Sequence, residues 1–160
     1  MSTSITPGKS LFTNNVTSSH AGAILSIDLG ALTANYNILT ERLGGTKPSA
    51  VIKADGYGLG AVPIAITLAN VGCRIFFVAN LEEGIRLRDA LNEFDISDIH
   101  EIEIHVLSGL MPNTEEVYNI SRLIPVLGSL DQIFNWKLYC GKIRNPLPCD
   151  IHIEKYSVLL

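Results

Sequence analysis

The sequence has few cysteines, and those it has show no pattern of pairing. Its 160 residues contain three of them, Cys73, Cys140 and Cys149, with no Cys-x-x-Cys pair. An odd, unpaired set of thiols gives no disulfide framework and is typical of a reduced cytoplasmic protein. The four histidines are scattered and share no ligand spacing with the cysteines, so no metal site is predicted.

Excess charge and long apolar runs are also missing. Twelve basic residues stand against sixteen acidic ones, and a net charge of −4 argues against a nucleic-acid partner or an anionic membrane surface. No apolar run approaches the roughly 20 residues that a membrane-spanning helix requires. The chain is long enough, and at 47% hydrophobic residues apolar enough, for one globular domain.

Residues 1–22 are rich in serine, threonine, asparagine and glycine. They lack the apolar segment of a signal peptide and the repeated arginines of a transit peptide. This composition predicts a disordered N-terminal tail. The folded domain is expected to occupy residues 23–160.

From residue 23 onward, β-rich and helical patterns alternate. After the short β-rich run AILSIDL, Asp28 is placed to cap a helix, and the apolar run that ends at Lys53 predicts the first of five strands. The other four strands are RIFFVAN, EIEIHVLSG, LIPVLGS and CDIHIEK, and a helical pattern follows each of the first four strands. Apolar strands spaced about 25 residues apart are typical of a parallel sheet that is covered on both faces.

Two architectures are built from βα units of this size, the doubly wound sheet and the (β/α)8 barrel of TIM type. A barrel needs eight units and about 250 residues, whereas this chain holds about four and a half units. The predicted fold class is therefore α/β with a parallel sheet, either a smaller open sheet or a partial barrel truncated after about the fifth strand.

Lys53 is the first candidate for chemistry, because it ends an apolar strand and precedes the glycine-rich segment ADGYGLG. Outside this context it would be interpreted as a solvated lysine. In parallel α/β folds the ligand site lies at the carboxyl ends of the strands, so Lys53 is expected on the floor of a pocket. Partial desolvation favours a neutral amine, which forms a Schiff base with an aldehyde such as pyridoxal phosphate.

Tyr57 lies four residues after Lys53, and two roles are open to it. Its ring either packs over the start of the next helix or places its hydroxyl on the phosphate of the cofactor. The glycines at 56, 58 and 60 match neither the phosphate-loop spacing nor the dinucleotide spacing, so they only permit a tight turn.

Two other features are interpreted as structural. The segment LEEGIRLR is expected to form a charged helix face, with surface pairs among Glu82, Glu83, Arg86 and Arg88. Trp136 is expected in the core or in an interface.

Five segments of the chain occur in the same order as in a known family. They are SIDLGALTANYNIL, VIKADGYGLG, FFVANLEEGIRLR, IHVLSG and LIPVLGS. Over residues 23–154 the chain resembles the N-terminal part of alanine racemase, a fold-type III pyridoxal-phosphate enzyme. VIKADGYGLG is similar to the cofactor-lysine motif of that family, usually Lys-Ala-Asp/Asn-Ala-Tyr-Gly-His-Gly, with Gly56 and Leu59 in place of the alanine and the histidine.

The resemblance implies a role for three residues. Lys53 would bind pyridoxal 5′-phosphate covalently and act as one of two catalytic bases, Tyr57 would contact the phosphate, and Leu107 would line the cofactor ring. The reaction would interconvert L-alanine and D-alanine in the cytoplasm and supply D-alanine for peptidoglycan.

The resemblance also implies that parts of the family's structure are missing from this chain. The later barrel strands, the Thr-Gly-Met-x-Arg-x-Gly segment and the C-terminal β-domain, which provides the second base, are expected to be absent. The fragment is therefore expected to be inactive alone. A homodimer is expected for the full-length family rather than for this fragment.

Two other classes of function stay open at this point. One is a non-catalytic pyridoxal-phosphate-binding protein of the same fold type, which would bind the cofactor reversibly without exchanging the Cα proton of alanine. The other is an interaction protein without a cofactor, in which replacing Lys53 with alanine would leave every cofactor spectrum unchanged.

Overall fold

The computed structural model describes residues 22–94 and 96–153, which form a sheet covered by helices. Residues 1–21 of the predicted tail and residues 154–160 of the predicted domain lie outside this range. The described strands all pair in parallel, and their order in the sheet is their order along the chain. They are β1 (Ala50–Val51), β2 (Ile75–Val78), β3 (Glu103–Val106), β4 (Ile124–Leu127) and β5 (Asp150–Ile151).

Helices precede the sheet and connect its strands. They are α1 (Leu29–Arg42), α2 (Lys53–Tyr57), α3 (Ala61–Asn70), α4 (Leu81–Asn92), α5 (Glu115–Ile120) and α6 (Leu130–Cys140), with a 3₁₀ turn at Ile99–Glu101. The predicted cap of α1 is confirmed, because an Asp28 carboxylate oxygen accepts a hydrogen bond from the Ala31 N–H at 2.9 Å. No described helix has both the length and the apolar character needed to cross a bilayer.

The strand order decides between the two predicted architectures. In a doubly wound sheet the order reverses at a switch point, whereas in a barrel each strand lies beside the next one along the chain. The observed order, with a helical connection after each of the first four strands, is that of a partial (β/α)8 barrel. The prediction of a partial TIM-type barrel is confirmed.

The two faces of the sheet differ in burial. Residues on the helix-covered face are buried, among them Phe76, Ile104 and Leu127, each 0% exposed. On the opposite face, Val51 is 45% exposed and Ile75 is 37% exposed. His105 and Ile124 lie on that same face and are each 6% exposed, so the expectation that both faces are covered holds at β3 and β4 and fails at β1 and the start of β2. Five strands do not close into a ring, so the face that would line a barrel interior, here called the open face, is only partly covered.

The β-rich run AILSIDL does not form a strand. Residues 23–28 have no assigned secondary structure, and α1 begins at Leu29. Ile24 and Leu25 are 67% and 73% exposed. A β-rich composition favours a strand only where a neighbouring strand supplies hydrogen bonds and packing.

Trp136 is a core residue, as the sequence predicted. It lies in α6, is 4% exposed, and its ring packs edge-on against Tyr118 with the ring centroids 6.1 Å apart. On the other side its ring centroid lies 5.7 Å from that of Tyr139. These three aromatic residues pack α6 against α5.

Candidate active site

Lys53 lies two residues after the end of β1, at the carboxyl edge of the sheet. The Ile52 N–H donates to the Phe77 carbonyl oxygen at 2.9 Å, so the chain stays on the sheet until the residue before Lys53. The lysine is half-buried, and its ammonium makes no hydrogen bond or ion pair with any residue in the described part of the chain. A lysine amine without a partner among the described residues therefore lies at the edge where ligands bind in barrels.

Leu107 follows β3 at the same edge of the sheet. The registers of β1 with β2 and of β2 with β3, continued by one or two residues, place Lys53, Ala79 and Leu107 in one row. Leu107 is 40% exposed. Lys53 and Leu107 thus both follow strands at the carboxyl edge of the sheet, with β2 between them.

The turn after β1 has an unusual backbone. Ala54 (φ 54°, ψ 48°), Asp55 (φ 52°, ψ 49°) and Gly56 (φ 63°, ψ 39°) are all in the left-handed region, and Tyr57 has φ 58°. This conformation costs a non-glycine residue roughly 1–2 kcal/mol. Strain of this kind is concentrated at functional sites, where the surrounding structure maintains it.

Hydrogen bonds hold this left-handed turn. The Gly56 N–H donates to the Ile52 carbonyl oxygen at 2.8 Å, and the Gly58 N–H donates to the Ala54 carbonyl oxygen at 2.9 Å. Asp55 Oδ1 accepts from the Ala61 N–H at 2.8 Å, which connects the turn to the start of α3. The turn is therefore a well-bonded element rather than a loose glycine loop.

Tyr57 ends the turn and is 62% exposed. Its hydroxyl has no hydrogen-bond partner among the described residues. Its ring and Leu59 line a cavity of about 310 Å³ between α1 and β1, with Leu32 and Tyr36 on the wall. This cavity is apolar and is not lined by Lys53.

Glu83 lies in the first turn of α4 and is connected to the lysine turn. Its Oε1 accepts from the Ala54 N–H at 3.0 Å, and its Oε2 accepts from the Ala79 N–H at 2.8 Å. The interpretation of Glu83 as a surface-pairing residue is therefore wrong. The signal in the sequence is Asn80-x-x-Glu83, since Asn80 Oδ1 caps the helix by accepting from the Glu83 N–H at 3.0 Å.

Arg88 also departs from the predicted charged face. It is 8% exposed, and its Nη2 donates to the Ile102 carbonyl oxygen at 2.8 Å and to the Arg122 carbonyl oxygen at 3.0 Å. About one turn of helix separates it from Gly84, which is also buried, and α4 packs against β3. Arg88 therefore binds the backbone just before β3 and β4 and is not a surface residue.

A second group of titratable residues lies on the open face of the sheet. His105 Nδ1 is 2.6 Å from Asp150 Oδ2, and His105 Nε2 is 3.2 Å from Glu103 Oε2. The imidazole centroid lies 4.8 Å from that of Phe77. These contacts connect β3 with β5, and His105 lies two residues before Leu107 along the chain.

Comparison with known proteins identifies the family. The family model described as alanine racemase, N-terminal domain, matches residues 27–155. The chain belongs to this family. The alanine racemase of Brucella ovis is 39% identical over 134 residues, which is 84% of this chain and 32% of that protein. The alanine racemase of Methylobacterium nodulans is 41% identical over 138 residues, 86% of this chain and 35% of that protein.

Solved structures of alanine racemases share the fold. The Bartonella henselae enzyme, with covalently bound pyridoxal phosphate, is 39% identical with a TM-score of 0.65 over 72% of this chain and 30% of that chain. The Streptomyces coelicolor A3(2) enzyme is 26% identical with a TM-score of 0.69 over 80% of this chain and 32% of that chain. This chain therefore spans about a third of the length of the alanine racemases that it matches.

Proposed function

We propose that this chain is the lysine-bearing part of a pyridoxal-phosphate-dependent alanine racemase. On this proposal Lys53 Nζ is the attachment point of the cofactor and one of the two bases. The observation that carries the proposal is the position of Lys53, half-buried at the carboxyl edge of a partial barrel and next to a strained, well-bonded turn. Membership of the family supports it.

The residues at this edge fit pyridoxal phosphate chemically. Lys53 provides an amine for the aldehyde. Tyr57, four residues later, provides a hydroxyl that makes no hydrogen bond with any described residue. Leu107, in the same row as Lys53, offers an apolar side chain for the ring. The Bartonella henselae relative carries this cofactor covalently, which supports the assignment.

When bound, the cofactor withdraws electrons from the Cα of alanine and makes the Cα proton acidic. Lys53 Nζ would remove or deliver the proton on one face of Cα and the second base would do so on the opposite face, so the configuration inverts when one base removes the proton and the other delivers it. The turn that follows Lys53 holds the amine in place, and orientation of this kind supplies a large part of catalysis. Leu107 excludes water from the side of the site nearest β3.

The remaining parts of the proposal concern the whole enzyme. We propose that the second base, further phosphate ligands and the homodimer interface come from the rest of the relatives' length, so this chain alone racemises alanine negligibly. The three free cysteines support the proposed cytoplasmic location. The proposed product, D-alanine, would serve peptidoglycan synthesis.

Trapping the cofactor on Lys53 tests the proposal. The chain is incubated with pyridoxal phosphate, reduced with borohydride, digested and analysed by mass spectrometry. We expect a reduced pyridoxyl group on Lys53, its loss in Lys53→Arg, and unchanged labelling in Lys47→Arg, since Lys47 is an exposed lysine six residues earlier. Equal labelling of Lys47 and Lys53 in the wild-type chain would contradict the proposal.

A further inference from the structure

We propose that Glu83 is a positioning residue of the lysine site. Its carboxylate holds the left-handed turn that follows Lys53 onto the end of β2, through the Ala54 and Ala79 N–H groups. The inference rests on the proposed role of Lys53. Glu83 acts on the backbone next to Lys53 rather than on a ligand.

The use of both carboxylate oxygens distinguishes Glu83 from an ordinary helix cap. In a capping box the acid at the third helical position returns one hydrogen bond to the start of its own helix. Glu83 Oε2 makes a bond of this kind with Ala79, the residue before the N-cap Asn80. Its Oε1 is left to bind Ala54, which lies 29 residues earlier in the chain. Capping of α4 does not account for this second bond.

The hydrogen bond to Ala54 lies at the start of the left-handed turn. Ala54 directly follows Lys53 and is the first residue of the left-handed run, with φ 54°. Hydrogen bonds from an N–H to a carboxylate are about twice as strong as those between neutral groups. The Glu83 carboxylate therefore offsets part of the strain at the residue next to the amine.

The same device recurs at α6 with a different side chain. Gln132, also at the third helical position, accepts from the Gly128 N–H at 2.8 Å through Oε1. Its Nε2 donates to the Leu110 carbonyl oxygen at 3.2 Å, in the loop that follows β3. The loop after β3 thus provides a carbonyl oxygen for the side-chain amide of Gln132. The turn after β1 provides instead the Ala54 N–H for the carboxylate of Glu83. Each side chain matches the group that it must bind.

Because both carboxylate oxygens of Glu83 accept hydrogen bonds, Glu83→Gln tests the proposal directly. Glutamine keeps the shape but has one acceptor oxygen, so its NH2 group must face the N–H of Ala54 or of Ala79. We expect amide hydrogen exchange, measured by NMR without cofactor, to become about 10-fold faster at one or both of these positions. Glu82→Gln is the control, because Glu82 is exposed in the same helical turn and removes the same charge. Exchange at both positions unchanged in Glu83→Gln would overturn the proposal.

A rescue variant separates positioning from a general role in folding. Glycine adopts a positive φ without strain, so Ala54→Gly should restore most of the Lys53 labelling by pyridoxal phosphate that Glu83→Gln loses. If Glu83→Gln unfolds the chain, Ala54→Gly should likewise restore the fold. Failure of this rescue in either case would overturn the proposal and assign Glu83 to α4 alone. If wild-type Lys53 takes no label, the proposed function fails, while the exchange measurement still decides the role of Glu83.

Discussion

Replacing Arg88 with alanine is expected to lower the free energy of unfolding by about 3–5 kcal/mol. The guanidinium is buried in α4 and donates from Nη2 to the carbonyl oxygens of Ile102 and Arg122. Ile102 directly precedes β3, and Arg122 lies two residues before β4. Alanine would remove both hydrogen bonds and leave a cavity between α4 and the segments that precede β3 and β4.

Arginine is the side chain suited to this position. Burial, and to a smaller extent the nearby charge of Arg122, lowers the pKa of the Arg88 guanidinium. Arginine keeps its proton in proteins, so the group remains a charged donor. Its planar fork of N–H groups lets one nitrogen serve two carbonyls. Lysine at this position would present a single ammonium on a flexible stem, and we expect a smaller loss of stability than with alanine.

Urea unfolding followed by circular dichroism measures this effect. Arg86→Ala is the matched control, since Arg86 is exposed in the same helix, and we expect its free energy of unfolding to change by no more than about 0.5 kcal/mol. A single domain of this size has only about 5–15 kcal/mol of stability, so Arg88→Ala should shift the midpoint far toward low urea. Equal urea midpoints for the two variants would show that Arg88 stabilises the fold no more than the exposed Arg86 does.

Most elements of the fold could be predicted because their signals are local. Asp28 marks the start of α1 by capping it, and Pro63 marks the first turn of α3 because proline lacks only an N–H that is unpaired there. Gly72, with φ 98°, follows the end of α3 where a left-handed residue is needed. The site lysine was also accessible, since the position of Lys53 at the end of an apolar strand follows from adjacent residues.

The unpredicted features depend on partners far away in the chain. Charges spaced like those of LEEGIRLR fit surface pairs equally well, and nothing local shows that Glu83 binds Ala54, 29 residues earlier. Arg88 likewise bonds residues 14 and 34 positions later. AILSIDL has a strand-forming composition but no strand beside it, and it has no assigned secondary structure up to Asp28. The left-handed backbone at Ala54 and Asp55 is not a conformation that their residue types favour.

The chain is expected to lose stability as the pH rises from 10 to 12. Burial raises the pKa of Tyr118 from 10.0 to about 12. The side chain is 0% exposed, and its hydroxyl donates to the Gly109 carbonyl oxygen at 2.6 Å. Burial, followed by the charge of Cys73, raises the pKa of Tyr36 to about 12 as well. Both shifts have the same sign, so both tyrosines contribute to the loss.

The direction follows from which state ionises first. In the unfolded chain these tyrosines lose their protons near pH 10, whereas in the folded chain they stay neutral until about pH 12. The stabilisation is therefore complete below pH 10 and is lost as the pH rises through 12. A shift of two pKa units in Tyr118 corresponds to about 2.7 kcal/mol.

Comparing Tyr118→Phe with wild type isolates one of these groups. At pH 8 the variant should be about 1 kcal/mol less stable, because it lacks the hydrogen bond to Gly109. At pH 12 it should be the more stable protein, since phenylalanine has no proton to lose. The two curves of unfolding free energy against pH should therefore cross between these values. Tyr57→Phe, at an exposed tyrosine, should run parallel to wild type. Ionising cysteines affect all three proteins alike, so parallel curves for Tyr118→Phe and wild type would show that Tyr118 ionises as readily in the folded chain as in the unfolded one.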